Sequence, residues 1–180
     1  MTLLKRAFRR TVWALLPRYL QGHRGRVSWL TALQCWYFQK VLGVNRRVPW
    51  PVHFASVVPP PSGRFVRLTR TSPGFMPGVY IDATHPVRLG RNSGVGPGAS
   101  IVTSGPNAGP VTLGDNTWLG ANSVVLPGVR LGNHVYVAAG SVVDRSFEEN
   151  DILLAGVPAR VVKRLPPYKG ADYLSEPAQL

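Results

Sequence analysis

The sequence has 180 residues, of which 44% are hydrophobic, and it carries a net charge of +13. This length suits one main domain with an accessory segment. No apolar run approaches the ~20 residues that span a bilayer, so we expect a cytoplasmic protein. Cys35 is the sole cysteine, which excludes an intrachain disulfide, and the four histidines show no zinc-ligand spacing, so we expect no metal site.

Positive charge is concentrated in the first part of the chain. The first acidic residue is Asp82, and residues 1–81 hold 13 of the 21 Lys and Arg residues, whereas residues 82–180 carry 8 basic and 8 acidic side chains. Such an asymmetry indicates either an anionic partner or a solvated basic face. No nucleic-acid motif is visible, so we favour peripheral contact with the inner membrane over nucleic acid as the anionic partner.

Two helices are predicted within residues 1–47, which form a basic N-terminal segment. The first begins at Thr2 as N-cap, ends before Pro17 and has an apolar stripe of Leu4, Phe8, Val12 and Leu15. The second begins after Ser28, ends near Gly43 and has apolar residues at helical spacing: Leu30, Leu33, Tyr37 and Val41. We expect the aromatic residues of the second helix to pack in the structure rather than to bind a ligand.

Residues 48–165 are predicted to form the main domain, and residues 166–180 a C-terminal tail. The stretch up to Gly78 is rich in proline and glycine, which predicts irregular strands. From Leu89 onward, steps of six reach ten positions, of which nine are aliphatic: Leu89, Val95, Ile101, Asn107, Leu113, Leu119, Val125, Leu131, Val137 and Val143. The fourth residue after each of these is small or β-branched nearly throughout.

A period of six has a direct structural meaning. Three short strands joined by tight turns make a triangular coil of 18 residues, and each aliphatic residue points into the narrow prism. A β-sandwich would instead show a period of two with irregular turn spacing. The sequence therefore predicts an all-β fold, a parallel β-helix (hexapeptide-repeat solenoid) preceded by a helical segment.

Four stretches resemble the hexapeptide-repeat acyltransferases, and more narrowly the O-acetyltransferases associated with bacterial surface-polysaccharide synthesis: FMPGVYI (75–81), LGDNTWLGAN (113–122), VLPGV (125–129) and AGVPAR (155–160). The resemblance implies left-handed coils and a homotrimer. It also implies acetyl-CoA as the acyl donor, bound between neighbouring prisms along a column of turn residues, and a sugar or saccharide hydroxyl as the acceptor.

The same resemblance implies residues that bind the donor. Backbone amides at Gly120 and Ala121 are the candidate contacts to the thioester carbonyl. The CoA arm would pass Ala139 and Gly140. Arg145 and Arg160 are candidates for its phosphates, which favour fixed cationic donors, although each arginine also fits an ordinary solvated edge.

The catalytic histidine of the family has no counterpart at the usual position, which holds Pro106. The interval from Ile101 to Leu113 is two hexads, so we expect no loop to leave the solenoid there and Asn107 to lie inside the prism. His85 is the candidate base, because steps of 18 place it in one column with Ala139, Ala121 and Thr103. His134 is interpreted as a surface turn residue.

The leading interpretation is an acetyl-CoA-dependent O-acyltransferase. The alternative is a catalytically degenerate β-helix trimer with a structural or membrane-surface binding role, which Pro106 favours. A carbonic anhydrase on the same fold would need three metal-binding histidines, and His85 and His134 cannot supply them.

Overall fold

The computed structural model describes residues 29–68 and 71–168. The helix predicted between Thr2 and Pro17 lies outside this part. The second predicted helix is confirmed: α1 spans Trp29–Trp36 and continues as a π-helical turn over Tyr37–Val41. Gly43 follows at a φ of +79°, a conformation that glycine adopts without steric cost. No helix among the described residues has the length and apolar character needed to cross a bilayer.

Short strands build the rest of the described chain. In chain order they are β1 (Phe65–Arg67), β2 (Tyr80–Ile81), β3 (Val87–Leu89), β4 (Gly94–Val95), β5 (Ser100–Ile101), β6 (Val111–Leu113), β7 (Trp118–Leu119), β8 (Val124–Val125), β9 (Arg130–Leu131), β10 (Val135–Val137), β11 (Val142–Val143), β12 (Ile152–Gly156) and β13 (Ala159–Arg164).

The strands form three sheets that are the walls of a prism. Sheet 1 has the order β1-β3-β6-β9, sheet 2 the order β13-β12-β10-β7-β4, and sheet 3 the order β11-β8-β5-β2. Every pairing is parallel except that of β12 with β13. Because each strand pairs with its counterpart one coil later, the structure confirms the predicted parallel β-solenoid.

The interior of the prism holds the side chains that the period of six selects. All nine aliphatic residues of that series are at most 7% exposed. The fourth residue after each is also buried, with the exceptions of Gly105, which is exposed, and Phe147, which is half-buried. One large and one small side chain per wall therefore fill the narrow core, which no single coil can bury alone.

One coil is longer than the sequence predicts. Val87 pairs with Val111 and Ser100 with Val124, an offset of 24 residues, whereas Thr112 pairs with Arg130 at an offset of 18. The extra six residues form the loop 104–109. Asn107 is exposed there, so its predicted interior position is wrong, and so is the expectation that no loop leaves the solenoid. The insertion equals one hexad and leaves the phase of the repeat unchanged.

The helical segment is attached to the residues that follow it through an unexpected face. Ala32, Cys35 and Gln39 are buried, and the Gln39 Nε2 group donates to the carbonyl oxygens of Val48 at 2.8 Å and Trp50 at 3.0 Å. The apolar stripe of the helix instead faces outward, with exposed fractions from 40% to 59% at Leu30, Leu33, Tyr37 and Val41. Tyr37 is therefore not a core residue, although its ring makes an edge contact with the ring of Phe38.

A hairpin closes the C-terminal end of sheet 2. β12 pairs in parallel with β10, and β13 turns back to pair antiparallel with β12. The Gly156 N–H at the hairpin tip donates to Ser141 Oγ at 3.1 Å, which fixes the hairpin over the last coil.

Candidate functional site

A column of tight turns lies on the prism edge between sheets 2 and 3. We define the turn column as residues 96–98, 120–122 and 138–140, which follow β4, β7 and β10. The Gly140 N–H donates to the Ala121 carbonyl at 2.8 Å, and the Gly120 N–H donates to the Val137 carbonyl at 2.8 Å. The structure thus brings together four of the predicted donor-binding residues: Gly120, Ala121, Ala139 and Gly140.

Close stacking of the turns explains the glycine at position 120. A β-carbon on Gly120 would lie 2.6 Å from both the Ala139 nitrogen and the Val137 oxygen, and neither backbone atom can move away. At Gly140, by contrast, a β-carbon would meet no atom within 4 Å. The column is therefore tightly packed between coils and open on its outer surface at its last turn.

Two backbone amides of the turn column are available for a ligand. Within the described part of the chain, the N–H groups of Ala121 and Ala139 donate no hydrogen bond. Pro97 holds the matching position one coil earlier and has no N–H to offer. Because the Gly120 amide is already used, Ala121 is the better of the two predicted contacts to a thioester carbonyl, and the absence of a β-carbon at Gly120 permits the close stacking of the coils.

The two predicted phosphate contacts form a separate group around Asp144. The Asp144 carboxylate lies 3.5 Å from Arg145 Nε and 3.6 Å from Arg160 Nη1. Both guanidinium groups are about half exposed, at 55% and 50%. Because two cations surround one carboxylate, this group has a net positive charge. It lies at the end of β11 that is farther from Gly140.

His85 does not lie in the turn column. It follows β2 on the edge between sheets 3 and 1, where its backbone N–H donates to Thr103 Oγ1 at 3.0 Å. The predicted column is wrong because the coil that contains the loop 104–109 has 24 residues. A step of 18 from Ala121 back to Thr103 therefore crosses from one prism edge to another. The Nδ1 atom of His85 is buried, and no described residue bonds to it.

Asp82 anchors the edge on which His85 lies. Its carboxylate accepts hydrogen bonds from the Thr84 N–H and hydroxyl and from the N–H groups of Thr103 and Ser104. Burial acts to raise the pKa of Asp82, but these hydrogen bonds outweigh it and hold the pKa well below its usual range. The charged carboxylate therefore fixes the start of the loop 104–109, on which Pro106 is exposed.

The third prism edge, between sheets 1 and 2, carries a histidine–aspartate pair that the sequence did not predict. His134 Nδ1 lies 2.6 Å from Asp151 Oδ1, which also accepts the Tyr168 N–H at 3.1 Å. The hydrogen bond from His134 lowers the pKa of Asp151. His134 lies in a turn as predicted, with a φ of +54°, but it is only 9% exposed, so its interpretation as a surface residue is wrong. The one available signal was the repeat of left-handed turn positions along this edge: Asn92, Asn116, His134 and Asp151.

An exposed indole borders the turn column. Trp118 is 37% exposed and comes two residues before Gly120. A β-carbon on Gly94 would lie 1.9 Å from the Trp118 ring, so the ring lies against this glycine on the outer face of sheet 2. Among the described residues, no group of three His, Cys, Asp or Glu side chains is arranged to hold a metal ion.

Comparisons with known proteins agree with the repeat and the solenoid fold of this chain. The family model for the bacterial transferase hexapeptide, described as six repeats, matches residues 110–145, which run from β6 past β11. This segment of the chain carries the hexapeptide repeat. Its solenoid is similar to that of a hexapeptide-repeat containing acetyltransferase from Vibrio cholerae, with a TM-score of 0.55 and 20% identity over 83% of this chain and 94% of that one.

Two further proteins are similar to this chain. The serine acetyltransferase of Neisseria gonorrhoeae is 26% identical, with a TM-score of 0.51 over 88% of this chain and 58% of that one. The 2,3,4,5-tetrahydropyridine-2,6-dicarboxylate N-acetyltransferase of Staphylococcus aureus is 42% identical over 77 residues, or 42% of this chain. The alignments with the curated relatives cover 28% to 32% of the length of those proteins.

Proposed function

We propose that this chain is an acetyl-CoA-dependent acyltransferase that acts as a homotrimer on a hydroxyl group of a sugar or saccharide. The observation that carries the proposal is the free Ala121 N–H in a close-packed, outwardly accessible turn column. This column lies largely within residues 110–145, the segment that matches the transferase repeat. Relatives that share the repeat are named as acetyltransferases.

The donor site follows from the contacts of the turn column. Acetyl-CoA supplies the activated acyl group, and the Ala121 N–H is the donor for its carbonyl oxygen, where negative charge develops during acyl transfer. The small residues Ala139 and Gly140 leave room for the arm. Arg160 is the better placed of the two arginines for a phosphate, because its hairpin is bonded to Ser141 at the end of the last turn.

The base must come from a different prism edge. His85 lies on the edge between sheets 3 and 1, whereas the turn column lies on the edge between sheets 2 and 3. In a homotrimer of prisms, unlike edges of neighbouring protomers face each other across each cleft. We therefore expect His85 of one protomer to take the hydroxyl proton beside the turn column of the next.

The exposed Trp118 ring favours a sugar acceptor. A large flat aromatic surface next to the reacting carbonyl can pack against the apolar face of a pyranose ring, while the hydroxyl groups at the rim stay solvated. Trp118 lies on β7, and the turn that contains Ala121 directly follows that strand, so an acceptor on Trp118 would lie close to Ala121.

Calorimetric titration of acetyl-CoA into the full-length protein is the primary test. We expect saturable micromolar binding at one site per chain, followed by acetyl transfer to at least one member of a panel of pyranosides, detected by mass spectrometry. His85→Ala should abolish transfer while leaving the affinity for CoA nearly unchanged. Full transfer by this variant would refute the role of His85, and absence of acetyl-CoA binding by the parent chain would refute the acyltransferase proposal.

A second candidate function is a degenerate scaffold that keeps the trimer without turnover. It is favoured by the loop 104–109, which stands where the family places its histidine and contains neither a histidine nor an acidic residue. This candidate predicts a trimer in sedimentation experiments with no acetyl transfer to any pyranoside. Acetyl-CoA binding combined with transfer would eliminate it.

A further inference from the structure

The outward face of the helical segment carries a continuous apolar surface. We define the helix face as Leu30, Leu33, Tyr37, Val41 and Leu42. Leu30 is 59% exposed and Val41 56%, while Ala32, Cys35 and Gln39 on the other side of the helical segment are buried. Gln39 donates to the carbonyl oxygens of Val48 and Trp50. The helical segment thus buries small and polar side chains and exposes large apolar ones to water. This exposure is unfavourable unless another surface covers the apolar side chains.

The surroundings of the helix face are basic. Lys40 is exposed within the helical segment, and Arg46 and Arg47 are exposed in the turn that follows it. That turn folds back on the helix, with the Val44 N–H donating to the Phe38 carbonyl at 2.9 Å. Residues 29–81 contain six Lys and Arg residues and no acidic residue.

This charge selects among the surfaces that could cover the helix face. Residues 1–28 contain seven Lys and Arg residues and no acidic residue, so they bring no negative charge to balance the basic surroundings of the helix face, and neither does the same region of a second copy of the chain. An anionic bilayer offers the opposite combination, with apolar chains below a negatively charged headgroup layer.

We propose that the helix face docks on the surface of an anionic lipid bilayer, with Leu30, Leu33, Tyr37, Val41 and Leu42 inserted at the headgroup boundary and with Arg46 and Arg47 on the headgroups. The helix then lies in the plane of the interface, as amphipathic helices with apolar and basic faces do. This docking does not depend on acyl transfer, so it holds for an active enzyme and for a degenerate scaffold alike.

Flotation of the full-length protein with lipid vesicles tests the proposal. Vesicles of phosphatidylcholine alone are compared with vesicles that contain phosphatidylcholine and phosphatidylglycerol in equal amounts. We expect binding to the anionic vesicles that weakens as salt screens the charges. The double variant Leu33→Ser/Val41→Ser should bind them about tenfold more weakly or worse, since each side chain loses its burial in the lipid.

Matched variants separate the helix face from general effects. Val57→Ser/Val162→Ser removes two valines that are 58% and 57% exposed elsewhere on the chain, and it should bind like the parent. Arg46→Gln/Arg47→Gln should also bind about tenfold more weakly, since each arginine near the surface contributes to the attraction. Arg88→Gln/Arg130→Gln, on the outer face of sheet 1, should have a much smaller effect.

All variants keep residues 1–28, so any lipid binding by that segment is common to them. Parent-like binding by Leu33→Ser/Val41→Ser would overturn the proposal. A changed oligomeric state of that variant in light scattering, with lipid binding unaltered, would also overturn it and would assign the helix face to a second copy of the chain.

Discussion

Ala121→Pro removes the proposed thioester contact and little else. Ala121 precedes Asn122, whose φ is +55°, in the same way that Pro97 precedes Gly98, whose φ is +68°, one coil earlier. Proline is favoured at the first of these two turn positions, so the backbone accepts it without rearrangement. The substitution restricts the unfolded chain and should raise the stability by about 0.4 to 1 kcal/mol.

The loss of the N–H has a different consequence for each ligand. A hydrogen bond between neutral groups contributes about 0.5 to 1.5 kcal/mol, which corresponds to roughly 2- to 13-fold in the dissociation constant of acetyl-CoA. CoA has no acyl carbonyl, so its affinity should stay unchanged. Turnover should fall by roughly 100- to 1,000-fold, because the contact strengthens as charge develops on the oxygen.

Calorimetry with both ligands, together with thermal unfolding, measures these effects. Ala121→Ser keeps the N–H and serves as the control, with parent-like affinity for acetyl-CoA and CoA. If Ala121→Pro weakens both ligands equally, or weakens neither, the Ala121 amide does not hold the carbonyl and the reasoning from its free N–H fails.

Three further predictions concern the fold around the site. Leu119→Ala empties a fully buried position in the prism and should cost about 2 to 5 kcal/mol in urea unfolding, whereas Trp118→Ala on the same strand should cost much less. Because the pKa of Asp82 is depressed in the folded state, its carboxylate contributes stability above the pKa of about 3.9 in the unfolded chain. This stability is lost as the pH falls through the folded value, so the difference in melting temperature between Asp82→Asn and the parent should shrink below about pH 4. Burial raises the pKa of the Cys35 thiol to about 11, so a thiol reagent should modify it slowly at pH 8 and rapidly after unfolding.

The sequence predicted the solenoid because its signal is strictly local. Each hexad repeats the same requirement for an aliphatic and a small side chain, so Leu119 or Val125 can be assigned to the interior without knowledge of any other coil. The nine aliphatic positions are all buried for this reason.

Stacking between coils was harder to predict, because it depends on how many hexads make one turn. The loop 104–109 adds one hexad to its coil, and the periodic series shows no break. Counting by 18 therefore carried His85 into the wrong column, and counting by six carried Asn107 into the core. The turn column itself was predicted correctly for Ala121 and Ala139, which are separated by a regular coil.

The burial of the helical segment could not be read from its apolar periodicity. Leu30 and Val41 define the stripe that usually faces a core, yet the prism already has a complete core of its own. What attaches the helix is the Gln39 amide, which donates to carbonyl oxygens of the following segment. Long-range pairs such as His134 with Asp151 likewise join residues of successive coils, which no single hexad specifies.

The hairpin at the end of sheet 2 determines where the stack of coils stops. A parallel solenoid has an open row of backbone donors and acceptors at its last strand, and any free strand of similar length could add to it. β13 occupies that row in the reverse direction and carries the exposed side chains of Arg160, Lys163 and Arg164. Arg164 is in turn tied to Glu149 at 2.9 Å. The reversed, positively charged strand protects the chain from end-to-end fibre growth, a hazard built into every fold that repeats one strand pairing along an axis.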